Sequence, residues 1–421
     1  MKKIFICLAI LIFSNGYSQN NVDNVQLTQR QPNWYADTIE TYPNSAARVV
    51  VFYEPSDGGK VPVKQMSFYE EGSVKQEFDL TTITKDMPGY DVWKTTVVPS
   101  GVCLDFAKDK TVQKVSHYEN GILEGQVISF YSQNKMMAKM HYEKGKLNGN
   151  FEGFYENGNK KQVGTYVDGK LEKDFISFYE NGNRASVIKY KNGMISGLSK
   201  SWYETGAIQS EKRYVDNNLQ GDGKNPAVII YDEKHSIIEA LDFIDGKPVG
   251  VHTKYHLNGN KSYLVNYKDG KKHGIERFFS ENKELLGSGE YKDGNPVGKH
   301  FKEHSKGNLF YIANFDKNGN LLAPVKEYDE NKNLIREHFS KNNKPHGSYK
   351  EWFLDGNLKI ESNYEEGRLY GTQKEYYDSG QIKIQSSFKD GKRDGEYLQW
   401  YENGILEKKI NFKEDKKDGI L

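Results

Sequence analysis

Four histidines stand at a spacing that metal sites use: His252 with His256, and His300 with His304. On a helix such a pair shares one face and can share a zinc ion. On a strand the same interval covers roughly 13 Å, too far for two ligands of one metal. Gly294-Asn295-Pro296-Val297-Gly298-Lys299 has the outline of a phosphate-binding loop, but it holds one residue too few between its glycines. His300 follows where that motif needs Ser or Thr. Asp216-x-Asn218-x-Gln220-Gly221 opens like a calcium loop and then has Ala227 at the twelfth place, where a carboxylate must close the shell. Glu156, Glu180, Glu204 and Glu402 could pass for paired acids. Each recurs beside a turn, however, and a residue repeated once per turn is a structural or multivalent choice rather than a unique reaction centre. Cys103 has no His or Asn arranged with it as a nucleophile needs. The reading leaves no catalytic residue, no metal site and no cofactor to assign, so the chain is expected to be non-enzymatic.

Those exclusions depend on strands rather than helices carrying the residues, and the chain repeats itself in a strand-like way. Phe154-Tyr155-Glu156-Asn157-Gly158-Asn159 returns 24 residues later as Phe178-Tyr179-Glu180-Asn181-Gly182-Asn183. With the turn as reference, thirteen centres follow: Lys110, Asn134, Gly158, Gly182, Gly206, Lys234, Gly259, Lys283, Gly307, Lys332, Gly356, Gly380 and Gly404. Regular self-similarity of this length marks an array of stacked units. Asn-Gly and Asp-Gly at the centres suit a type I′ turn or a relative of it, because Gly takes positive φ freely and Asn or Asp tolerate it. An aromatic stands four residues before the centre in eleven of the thirteen units, Ile230 and Glu303 being the exceptions. A second aromatic follows about eight residues after the centre, and then a second turn with the spacing of Gly145 to Gly149.

A two-residue turn at Asn157-Gly158 would set Tyr155 opposite Lys160 and Tyr166 opposite Gly149, the ring covering the bare backbone. No segment has a helical period long enough to cover such a sheet. The expected fold is therefore all-β: an extended single-layer antiparallel sheet of tandem 24-residue β-hairpin repeats, each held by its neighbours.

The rest of the chain frames this array. Residues 1–18 combine Lys2 and Lys3, an apolar run from Ile4 to Phe13 and a small-residue stretch, the form of a signal peptide too short to span a bilayer. That predicts a bacterial protein, secreted, periplasmic or displayed at the cell surface. With Cys7 removed, Cys103 is left without a partner for an internal disulfide. Residues 19–45 read as a flexible leader, 46–101 as an irregular β region with one degenerate repeat at 67–78, and 102–421 as the thirteen repeats. The insertion at 79–100 and the stretched step at 217–235 break the rhythm, the latter as a bend or a binding loop. With 59 basic against 58 acidic side chains, the formal charge of +1 argues against nucleic acid as a partner.

These phrases resemble the MORN repeat, and more closely the bacterial variant in which YxNG-type and DGK-type turns alternate, as in YwqK-type antitoxins. The resemblance covers about residues 102–421 and the early copy. It implies an open hairpin array that contacts membrane lipid or scaffolds proteins, and for the antitoxin class a partner toxin. The residues themselves offer an aromatic surface, densest at Trp202-Tyr203, Trp352-Phe353, Tyr376-Tyr377 and Trp400-Tyr401. Rings at fixed repeat positions first hold the sheet together; surplus ones can fill the hot spots of a protein partner or stack on sugars. A protein partner is the leading expectation. A glycan or cell-wall ligand, an anionic membrane and an exported toxin are the rivals.

Overall fold

The turns set the architecture, and the chain uses two kinds in alternation. The computed structural model describes residues 27–132, 135–342 and 344–418; the signal segment 1–18 and the centre at Asn134 lie outside them. At the first turn of each repeat Gly158 N–H donates to the Tyr155 carbonyl (2.9 Å) and Tyr155 N–H to the Asn159 carbonyl (2.8 Å), with positive φ at Gly158 alone. This is a type I turn closed by a G1 bulge, a three-residue loop, and not the type I′ turn expected there. The extra residue moves the register by one: Phe154 faces Lys160, and Tyr155 pairs with Asn159. The type I′ geometry belongs to the second turns instead, where both central residues take positive φ, as at Lys144-Gly145, Asp168-Gly169, Asp269-Gly270 and Asp390-Gly391.

Contacts divide the chain into two compact units, Met1–Gly182 and Asn183–Leu421. Within each unit consecutive strands pair antiparallel in chain order, as Gly149–Phe154 with Lys160–Val167 in the first and Gly371–Tyr376 with Ile382–Lys389 in the second. The expected aromatic-over-glycine register holds in both. Gly149 faces Tyr166, Gly197 faces Tyr214, Gly274 faces Tyr291 and Gly395 faces Phe412.

Stacking of repeats rests on four recurring contacts, none of which needs a second layer. At the first-turn edge the tyrosine of each Phe-Tyr pair donates its hydroxyl to a main-chain carbonyl of the next repeat. Tyr131 reaches Phe154 and Tyr155 reaches Phe178 (2.8 Å each) in the first unit, and Tyr203 reaches Tyr231 (2.8 Å) and Tyr377 reaches Trp400 (2.9 Å) in the second. Beside it runs an asparagine ladder, in which Asn159 Nδ2 donates to the Glu180 carbonyl (2.8 Å) and Asn357 Nδ2 to that of Asp378 (2.7 Å). At the opposite edge the glycine N–H of each second turn donates to the preceding one, as Gly145 to Leu123 and Gly391 to Leu369 (2.9 Å each). The Lys that follows that glycine lays its stem against the next glycine: Lys247 against Gly270 and Lys271 against Gly294.

The middle column of the single layer is buried because long side chains lean over it. Val265 is 1% exposed, facing His252 across the ladder, with His252 and Tyr267 rings 4.6 Å apart and Tyr263 and Phe278 rings 5.0 Å apart around it. Charged residues directly opposite one another pair off, Lys200 with Glu211 (2.7 Å), Lys326 with Glu337 (3.0 Å) and Lys374 with Glu361 (3.2 Å). Opposite charges set face to face in this way support the pairing of the strands.

The irregular regions are ordered in ways the sequence reading missed. Residues 27–45, taken for part of a flexible leader, hold the strand Tyr35–Thr41, which pairs with Ala47–Ser56. Tyr42 to Ser45 closes that hairpin as another type I turn with Pro43 in its second place, and Tyr42 donates to the Phe68 carbonyl (2.9 Å). It is a degenerate repeat with Ser45 in the glycine's place. The insertion at 79–100 extends its flanking strands and places the helix Pro88–Trp93 on the Asn120-Gly121 turn, Trp93 Nε1 donating to the Gly121 carbonyl (2.7 Å) over Ile83 and Val98. The stretched step is a braced loop: Asp222 Oδ1 accepts Lys224 N–H (2.9 Å) and Asn225 N–H (2.6 Å), and Arg213 holds Asp222 (3.4 Å). Its turn glycine is replaced by His235 (φ 67), one residue beyond the expected Lys234. The aromatic four residues before it is Tyr231, which removes the exception assigned to Ile230.

Candidate binding surface

The eight aromatics singled out from the sequence all fall in the second unit, and seven are half-buried. Trp202, Tyr376, Trp352 and Trp400 end their strands at the bulge, facing Ile208, Ile382, Leu358 and Leu406. Tyr203 and Tyr377 carry the hydroxyl ladder. Phe353 lies beside the Lys359 ammonium, 5.8 Å from its ring centre. Tyr376 donates to Glu361 (2.8 Å), and burial together with that carboxylate pushes its hydroxyl up to about 12. Tyr401 alone of the eight is exposed, at 50%. Seven of the eight are therefore at least partly taken up by contacts within the sheet, and Tyr401 is left open.

The histidines divide by strand position. His252 and His300 are 7% and 6% exposed, and each donates Nε2–H to a carbonyl, of Asp242 (2.7 Å) and of Glu290 (2.8 Å). His300 lies between the Tyr291 and Phe315 rings and fills the space a side chain at Gly289 would need. His256 and His304 stand where other repeats have the ladder tyrosine, and their Nε2 reaches the Phe279 (2.9 Å) and Tyr328 (3.1 Å) carbonyls. Among the described residues no group of three or more His, Cys, Asp or Glu gathers as metal ligands would. Asp216-Asn217 forms a type I′ turn, and Gly294-to-Lys299 begins the strand Asn295–Ser305 after the Asp293-Gly294 turn. Cys103 is buried, and burial pushes its thiol up to about 12.

Two features had no place in the sequence reading. Glu276, buried in the strand Lys271–Phe279, accepts from Tyr263 (2.6 Å) and pairs with Lys272 (2.5 Å). Burial alone would raise its carboxyl; the Lys272 and Tyr263 donors outweigh it and hold the group below the ordinary value. In the first unit a furrow of two lobes, 440 Å³ and 330 Å³, crosses one face, both lobes lined by Lys139 and Glu152. Its signal in the sequence is one misfit: Lys139 stands where the units before and after have Val115, Val163 and Val187.

A single-layer array of antiparallel hairpins, with residues of one repeat bonded to the next, defines the class to which this chain belongs: open β-repeat proteins. Eight segments, residues 147–168, 171–192, 196–216, 248–269, 272–293, 345–366, 369–390 and 393–414, match the family described as the MORN repeat variant, and the chain is a MORN-repeat protein. A search of curated proteins finds no match. Among solved structures the chain is similar to one in the crystal structure of TcdB2-TccC3, at 9% identity and a TM-score of 0.15, over 86% of this chain and 22% of that one. Another is in the crystal structure of TcdB2-TccC3-Cdc42, at 9% identity and a TM-score of 0.14, over 90% and 23%. The chain spans less than a quarter of the length of either.

Proposed function

We propose that the protein is an exported, non-enzymatic scaffold that presents its sheet edge to a protein partner in the periplasm or at the bacterial cell surface. The observation that carries this reading is at the first-turn edge of the second unit. Leu257 and Leu354 stand where Glu156, Glu180 and Glu204 stand in other repeats, and they are 78% and 73% exposed. Tyr401 and Ile405 are exposed on the same kind of turn. Large, mostly exposed apolar side chains at tips that most other repeats make acidic add little to stacking, and apolar anchors are what protein interfaces bury. The first 18 residues support export.

The test is affinity capture from the exported fraction with the wild-type chain and with a Leu257→Glu, Leu354→Glu double variant, which restores the residue type of the neighbouring repeats. A protein retained by the first and lost by the second supports the reading. Equal capture by both removes it.

A further inference from the structure

We propose that the furrow in the first unit binds a short saccharide. It does not depend on the protein-partner reading, since it lies in another unit and uses other residues. One lobe is lined by Gln126, His141 and Asn150, the other by Met136, Phe154 and Tyr155, and Lys139 with Glu152 lies between them. Lys139 is half-buried beside Ile128 and directly faces Glu152. The Glu152 carboxylate is nevertheless satisfied elsewhere, by Lys160 at 2.8 Å. The Lys139 ammonium thus forms no hydrogen bond or ion pair among the described residues, and this half-buried residue lines both lobes.

The chemistry around it is that of hydroxyl recognition. Sugar hydroxyls donate and accept at once, and the Gln126 and Asn150 amides offer both functions, Lys139 a donor and Glu152 an acceptor. Phe154 and Tyr155 supply an apolar platform for the C–H face of a sugar ring at the far lobe. An extended peptide would need free main-chain groups to add as a strand, and the furrow crosses strands whose backbone is already paired, Lys139 with Glu152 and Ala138 with Gly153. A polyanion would meet the carboxylates of Glu152 and Glu156.

The experiment uses the full mature chain with chitotetraose, cellotetraose and maltotetraose as probes, read by titration calorimetry and saturation-transfer NMR. At least one probe is expected to bind, and Lys139→Met, Gln126→Ala and Asn150→Ala each to weaken it about tenfold, the loss of one hydrogen bond to a charged or polar group. Gln126 and Asn150 are exposed, so their removal leaves the sheet intact, and Val251→Ala in the other unit should bind as wild type. No binding of any probe at millimolar concentration overturns the proposal. So does affinity that survives Lys139→Met, or that falls equally in Val251→Ala.

Discussion

A tyrosine hydroxyl that reaches one hairpin ahead ties two repeats together with one bond, and its removal should be felt only there. Tyr155→Phe keeps the ring and leaves the Phe178 carbonyl without its donor, so it should cost about 1 kcal/mol. A lower urea midpoint at unchanged slope, with faster amide exchange confined to the adjoining hairpins, is the expected record. The same scale holds a strained position that can be relieved. Lys173 takes φ 65 at the place, 24 residues after Gly149, where other repeats have glycine. Lys173→Gly should therefore stabilise the protein by about 1 kcal/mol, because a Cβ in the left-handed region is what glycine avoids. Gly289→Ala should do the opposite by about 1–3 kcal/mol, since its Cβ would fall 2.3 Å from the His300 ring. Thermal denaturation that ranked these two variants the other way round would sink the account of both glycine sites.

At the scale of a strand, Lys271–Phe279 carries a charge inside the sheet, and pH should expose it. The Glu276 carboxyl is held below its ordinary value in the folded chain, so its contribution is fully present above the unfolded carboxylate range of about 4.3 and is lost as pH falls through the lower folded value. Glu276→Gln should accordingly show a shallower loss of stability below about pH 4.3 than the wild type. Identical acid profiles for the two proteins would remove Glu276 from the explanation. Much at this scale was legible beforehand. The 24-residue rhythm, the facing of Tyr166 and Gly149, and the absence of a covering layer all follow from residue spacing, because strand register has a period of two and turns announce themselves in glycine. What escaped were choices that composition leaves open. Asn-Gly serves both a type I′ turn and a type I turn with a bulge, and only the bond from Tyr155 to Asn159 distinguishes them. The Tyr35–Thr41 hairpin hid because Ser45 stands where a glycine would have signalled it, and the furrow hid because its residues come from three strands whose only shared mark is one lysine among valines. The eight aromatics were legible as repeat positions, but not which of them the sheet engages: Tyr203 and Tyr377 bond to the next repeat while Tyr401 stays exposed.

For the molecule as a whole, the decisive property is that the described ladders bond each repeat to its neighbour, so length should be adjustable in whole units and in no other way. Removing residues 272–295 joins Asp269-Gly270-Lys271 to Pro296-Val297-Gly298, which reproduces the natural turn Asp245-Gly246-Lys247-Pro248-Val249-Gly250. Every remaining strand keeps its facing partner type, and the loss should amount to one repeat and one interface, leaving a folded protein with a somewhat lower melting temperature. Removing 272–294, one residue fewer, would turn the side chains of the joining strand to the opposite face and set its ladder aromatics against solvent. The 24-residue deletion should therefore give a soluble chain with the β-type circular dichroism of the wild type, and the 23-residue deletion an aggregating one. A protein built around one shared hydrophobic centre would be ruined by both. Should the two deletions prove equally damaging, the repeats are not the independent units that the hydroxyl, asparagine and glycine ladders describe.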